Sequence, residues 1–183
     1  MKPFRRSRWG AGFSLIEVLV TMAVSAVALL GLAGMQLQGA RMQTVAGYRG
    51  TAALLASNLA DRIRANEKAG KTLTAYVFTN AYKTTAPVDA DCSADCTPTQ
   101  IAEHDLHSWW IHDASAQLPD PWVYVSASDG AYHITVMWRE PDQEAGTRSG
   151  TADAFTCPAP AVSGAATDVS IEGVRCYTIM VWP

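Results

Sequence analysis

Glu17 is the residue whose placement asks for chemistry, because it stands beside a long stretch that avoids charge. From Val18 to Ala40, 23 consecutive residues carry no formal charge, enough to cross an apolar bilayer core of ~30 Å at ~1.5 Å per helical residue. An ionised acid inside a membrane costs about 2.5–3.5 kcal/mol at mid-span and less near the ends, so it needs a compensating cation. A cut between Gly12 and Phe13 supplies one. The new α-amino group of Phe13 would lie four residues from Glu17, or ~6 Å along a helix. In a bundle of like helices a neighbour's amine serves equally, and Glu17 then fixes the axial stagger between subunits. The spacing points to assembly through a charge pair rather than to catalysis.

Two other sets of side chains invite chemistry. His104, His107 and His112, interleaved with Glu103, Asp105 and Asp113, are the most ligand-like cluster. No helical metal motif such as His-Glu-x-x-His accompanies them, so they read as the hydrated face of a helix, and neither a metal nor another cofactor is expected. Four cysteines, Cys92, Cys96, Cys157 and Cys176, lack the paired Cys-x-x-Cys spacing of a zinc site. In an exported domain they imply two disulfides with three possible connectivities; Cys92 with Cys96 and Cys157 with Cys176 is the expected pairing. There is no Gly-x-Ser-x-Gly elbow and no phosphate-cradling glycine loop, and no enzymatic activity is expected.

The elements that must position these groups begin with the apolar stretch itself. Lys2, Arg5, Arg6 and Arg8 precede it, leaving 10 Lys and Arg against 17 Asp and Glu in the rest of the chain. The positive-inside tendency keeps the N-terminus cytoplasmic and exports the chain beyond the span. The acidic remainder repels phosphate backbones, which disfavours nucleic acid as a partner. A secretory signal cleaved near Ala26-Val27-Ala28 is a rival reading. It conflicts with the apolar run continuing through Leu29-Leu30-Gly31-Leu32 and with Glu17 near its start. A plain anchor explains the length but gives Glu17 no reason.

Beyond the span, Tyr48, Ala52, Leu55, Leu59 and Ile63 recur at helical spacing while Arg62, Arg64, Glu67 and Lys68 take other faces. The pattern predicts one helix from Phe13 to Lys68, closed at Ala69-Gly70-Lys71 with Gly70 in a left-handed C-cap. Gly31, Gly34, Gly39, Gly47 and Gly50 punctuate it and predict either bends or close helix packing.

Gly12-Phe13-Ser14-Leu15-Ile16-Glu17-Val18 behind a short basic leader resembles the class III signal of type IV pilins and type II secretion pseudopilins. Leu30-Gly31-Leu32-Ala33-Gly34-Met35-Gln36 and Asp61-Arg62-Ile63-Arg64-Ala65-Asn66 resemble the minor pilins of the PilV type, and the likeness covers residues 1 to 68. It implies cleavage after Gly12 by a prepilin peptidase, N-methylation of Phe13 and subunit docking through Glu17. It further implies the type IV pilin-like α+β fold, a long N-terminal helix packed on an antiparallel sheet.

The remaining residues are expected to supply that head. A strand is predicted over Leu73 to Thr79, then a loop with Cys92 and Cys96. Thr97-Pro98-Thr99-Gln100 predicts a capping box with Pro at the first helical position. The helix it opens has Ala102, Leu106, Trp109, Trp110, Ala114 and Leu118 on its apolar face and stops at Pro119 and Pro121. Trp122 to Ala127 and Ala131 to Arg139 predict a hairpin around Ser128-Asp129-Gly130. Glu140 to Gly173 shows little periodicity, and Val174 to Trp182 is the last strand. Trp109, Trp110, Trp122, Trp138 and Trp182 are expected mostly in the core rather than on a base-stacking surface.

The expected organisation is therefore a leader over 1–12, a membrane and assembly half-helix over 13–40, an amphipathic half over 41–69 and a periplasmic head over 70–183. The expected function is that of a minor pilin in an initiation or tip complex, supporting motility or attachment. The resemblance implies as partners other minor and major pilins, the prepilin peptidase, the inner-membrane assembly platform and a tip adhesin. The subunit would sit in the inner membrane first and in the extracellular pilus after assembly. The alternatives are a type II secretion pseudopilin and a pilus-borne module that binds DNA or a surface ligand.

Overall fold

The computed structural model describes residues 12–92, 94–140, 157–165 and 173–183. The basic leader ahead of Gly12 and most of the irregular stretch between Glu140 and Gly173 lie outside the described residues. The chain divides into two units, one ending at Thr44 and one comprising Val45–Pro183. The first helix, α1 (Leu15–Ala65), contributes to both.

In the first unit every large apolar side chain from Phe13 to Met42 is open on its surface. An 18-residue window of α1 has a mean hydropathy of 2.3. A helix apolar all round is suited to lipid or to other helices.

In the second unit α1 turns amphipathic. Ala52, Leu55, Ala56, Leu59, Ala60 and Ile63 form its buried stripe, with Tyr48 packed at the edge. The stripe meets one face of a three-stranded antiparallel sheet ordered β1 (Trp122–Ser128), β2 (Ala131–Arg139), β3 (Val174–Val181). Val123 and Val125, then Tyr132, Ile134, Val136 and Trp138, and Val181 supply that face. Each fully buried Leu or Ile stabilises such a layer by about 1.5–3 kcal/mol. Asp129 and Gly130 both have positive φ, 52° and 76°, and Ser128 faces Ala131. A two-residue turn of this type matches the strand twist, which is why Asp-Gly fixes the hairpin register.

The opposite face is covered at one end. Trp122, Tyr124, Met137, Val174 and Cys176 pack there with Tyr82 and with Ala161 of α5, a five-residue helix over Ala159–Ser163. The irregular composition of that stretch gave no sign of α5, which is too short for periodicity.

Three expectations need correction. First, α1 stops at Ala65 rather than Lys68. Asn66 leaves helical geometry at φ −91°, ψ 64°, and α2 (Glu67–Gly70) follows. The side chain of Asn66 holds the break by donating to the Pro98 carbonyl at 2.7 Å and to the Tyr76 hydroxyl at 3.2 Å.

Second, Gly70 is not among the residues of positive φ. Its lack of a side chain serves packing instead: a Cβ there would stand 2.8 Å from the Ile63 carbonyl oxygen and 3.2 Å from Pro183 Cβ. Third, Leu73–Thr79 is not a strand. Leu73 has φ 54°, and turns run from Lys71 to Tyr76, held by Thr72 Oγ1 donating to the Ala69 carbonyl. Of this segment Phe78 alone joins the sheet edge, through two backbone bonds with Val125 at 2.8 and 2.7 Å.

The capped helix forms as predicted in α3 (Pro98–Ser108), with Thr97 and Gln100 exchanging both capping-box bonds. It then widens into one π-helical segment, Trp109–Ala114, before α4 (Ser115–Gln117). The cause is written in the spacing of its buried residues: Ala102, Leu106, Trp109, Ala114 and Leu118. Five positions separate Trp109 from Ala114, which in an α-helix would swing Ala114 about 140° off the buried face. A π turn absorbs the surplus residue, and the Ser115 N–H closes it by donating to the Trp110 carbonyl. Deleting His112, an exposed residue in the π segment, should therefore restore an ordinary α-helix and cost less than about 2 kcal/mol. Deleting Glu103 rotates Leu106 and Trp109 by about 100° against Ala102 and should cost at least about 3–5 kcal/mol. Thermal melts of the two deletions check this contrast.

Candidate assembly site

Gly12, Phe13 and Ser14 run into α1 without any contact to bury them. A Cβ built on Gly12 meets no atom within 4 Å, and Phe13 is 85% exposed. The Ser14 carbonyl accepts from the backbone N–H groups of Glu17 at 3.0 Å and Val18 at 3.3 Å, which closes the first turn. Ser14 precedes the helix and Glu17 is its first-turn acid, the spacing of a capping box, and a carboxylate there also complements the helix dipole. Glu17 is itself exposed. Its surroundings are thus an accessible Gly-Phe junction, a first-turn carboxylate and an uninterrupted apolar helix surface. Such a set offers a peptide bond to a protease and a charge to a neighbour.

A second cluster, in the other unit, anchors the end of α1. Arg62 Nη2 donates to Asp113 Oδ2 at 2.8 Å, and its Nη1 lies 3.6 Å from Asp105 Oδ1. Tyr76, wholly buried, donates to Asp105 Oδ2 at 2.7 Å. Burial, and then the neighbouring Asp105 carboxylate, pushes the Tyr76 hydroxyl well above the usual phenol range. Burial likewise pushes Tyr82 up to about 12. Trp109 Nε1 donates to the Leu55 carbonyl at 2.9 Å. In Asp61-Arg62-Ile63-Arg64-Ala65-Asn66, then, Ile63 fills the core, Arg62 ties α1 to the π segment and Asn66 ends the helix.

Asp105 and Asp113 therefore belong to this anchor rather than to a hydrated histidine face. His104 and His107 point instead to Asp89, with Nδ1 2.8 Å from Oδ1 and 3.8 Å from Oδ2 respectively, and His112 is exposed. Asp89 had no sequence signal, since nothing local announces a contact 15 residues away. No group of three or more potential metal ligands is arranged to hold an ion among the described residues.

Cys92 is bonded to Cys96, and Cys157 to Cys176. The second bridge ties the chain before α5 to β3. Trp109, Trp122 and Trp138 are buried and Trp110 lies partly buried between the two core clusters. Trp182 departs from the core expectation: it follows β3 and is 62% exposed.

A bare apolar helix with an accessible Gly-Phe junction, and a head with its own core, are the parts of a membrane-anchored assembly subunit. Residues 11–33 match the family model of the prokaryotic N-terminal methylation motif, and residues 34–107 match that of Type IV pilin Tt1218. Together the two matches support a type IV pilin. No curated protein and no solved structure matches it. Pilins are structural subunits rather than catalysts, and membership implies a role in pilus assembly with other pilins and a prepilin peptidase.

Proposed function

We propose that this type IV pilin is a minor pilin of the PilV type, taken into an initiation or tip complex through its N-terminal helix. The observation that carries the reading is the accessible Gly12-Phe13 junction four residues before Glu17, at the head of a helix whose apolar side chains are open from Phe13 to Met42. Cleavage after Gly12 removes the leader, and Phe13 receives a methyl group on its new amine. Glu17 then pairs with an amine in the helix bundle. Residues 13–40 are the membrane and assembly half of the helix, 41–69 the amphipathic half, and 70–183 the head on the periplasmic side. The assembly platform extracts the subunit from the inner membrane, other minor pilins and a tip adhesin flank it, and motility or attachment is the output.

Intact-mass and N-terminal peptide spectrometry of the protein from its native membrane tests the processing. A chain starting at Phe13 with one added methyl is expected. An intact Met1, or a start at Leu29, would refute it. Crosslinking from the head of the processed chain then identifies its neighbours; recovery of secretion components in place of pilus components would overturn the pilus assignment.

A further inference from the structure

The chain from Thr74 to Val88 runs as an arm alongside α3, and the two enclose an open cleft of about 550 Å³. The arm supplies Val77, Phe78, Thr85 and Val88 to its walls, and α3 supplies Thr99, Glu103 and Leu106. The arm's early part is well held. Phe78 pairs with Val125, the Tyr82 N–H donates to the Ala161 carbonyl at 2.8 Å, and the Tyr82 hydroxyl donates to the Asp120 carbonyl at 2.9 Å. Past Pro87, which is buried, the chain turns outward: Val88 is 74% exposed. At that point Asp89 reaches α3, its two carboxylate oxygens divided between His104 and His107.

We propose that Asp89, forked between His104 and His107, is a proton-strengthened clasp that holds the end of the arm to α3 and so sets how far the cleft beside it opens. The clasp lies in the head and depends neither on processing at Gly12 nor on the subunit's position in a pilus. A neutral imidazole offers the carboxylate one ordinary hydrogen bond, whereas an imidazolium offers a charge-assisted one about twice as strong. The second imidazolium adds attraction that has no counterpart when that ring is neutral. Imidazoles change charge between about pH 5 and 8. The clasp is thus tightest when both rings carry a proton and Asp89 is charged, and it loosens when the rings are neutral.

The other charges around it do not supply the same response. Asp105, next to His104 on α3, is engaged by Arg62 and Tyr76. Lys83 of the arm pairs with Asp120 at 3.4 Å. Glu103 lines the cleft and Asp91 lies two residues beyond Asp89; neither carries an imidazole.

Amide hydrogen exchange of the full-length protein in detergent micelles, corrected for intrinsic rates, tests this. A peptide covering 79–91 should show a protection factor about 2- to 5-fold higher at pH 5.5 than at pH 8, the range of partly exposed ion pairs. The β2 peptide should not change. Asp89→Asn and the double variant His104→Gln/His107→Gln should each abolish the difference while leaving β2 protection intact. Equal protection at the two pH values in the unmodified protein would overturn the clasp. So would a pH response that survives in either variant, and retained β2 protection shows that the variants are folded.

Discussion

Glu17→Ala is expected to leave the protein in the inner membrane in normal or greater amount while nearly eliminating it from sheared pili. Two opposing energies set the result. Removing the carboxylate relieves the membrane of an ionisable group, which helps insertion. Removing it from a filament leaves the partner amine uncompensated in apolar surroundings, and breaking such a pair by deleting one member costs about 3–5 kcal/mol. At about 1.4 kcal/mol per factor of ten, that lowers incorporation more than a hundredfold. The measured quantity is the ratio of filament-borne to membrane-borne subunit by quantitative immunoblot.

Ser14 and Glu17 also have capping-box spacing at the start of α1, so loss of the cap is a competing cause. Glu17→Gln separates the two, because a glutamine keeps the capping acceptor and loses the charge. Under the docking role Gln behaves like Ala. If Gln restored incorporation, the cap rather than the charge would be the function of this position.

The parts of the fold that could be read in advance are those whose causes are local. The Asp129-Gly130 turn needs positive φ at two successive residues, a requirement few sequences meet, and it fixes β1 against β2 with the observed pairing of Ser128 and Ala131. Thr97, Pro98 and Gln100 announce the start of α3 in the same way. The Gly-Phe-x-x-x-Glu signal was legible because it combines a rare charge with a long apolar run.

The features that escaped reading depend on distant partners. Asn66 ends α1 since Pro98 and Tyr76 receive its amide, and neither is visible from the helical periodicity that carries on through Lys68. Leu73 to Thr79 has strand-like residues, but a hydroxyl bond from Thr72 and a left-handed Leu73 turn the chain before the sheet can recruit more than Phe78. The π segment was present in the five-residue gap between Trp109 and Ala114. It passed as an ordinary apolar face because Trp110 offered a plausible neighbour at the α spacing. Asp89, without which the two histidines look merely solvated, reaches them only through the path of the arm.

Trp109 is where these long-range causes converge, and its loss should destabilise the head more than any single truncation in α3. The ring is fully buried among α1, α3 and the sheet, and its Nε1 is spent on the Leu55 carbonyl. Trp109→Ala removes that bond and opens a large cavity where α1 meets the π segment, at about 3–5 kcal/mol. At roughly 2–4 °C per kcal/mol for a chain of this size, the head's melting temperature should fall by about 6–20 °C. Trp109→Phe keeps much of the packing and leaves the Leu55 carbonyl without its indole donor, at about 1–3 kcal/mol. Near-ultraviolet circular dichroism of the detergent-solubilised protein is the right probe, because it reads the packed aromatic side chains of the head, whereas the apolar half of α1 would keep its helical signal in micelles after the head melts. A melting temperature for Trp109→Ala within about 2 °C of the unmodified protein would mean that the stripe of α1 and the sheet hold together without it, and that the π turn serves something other than the seating of this ring.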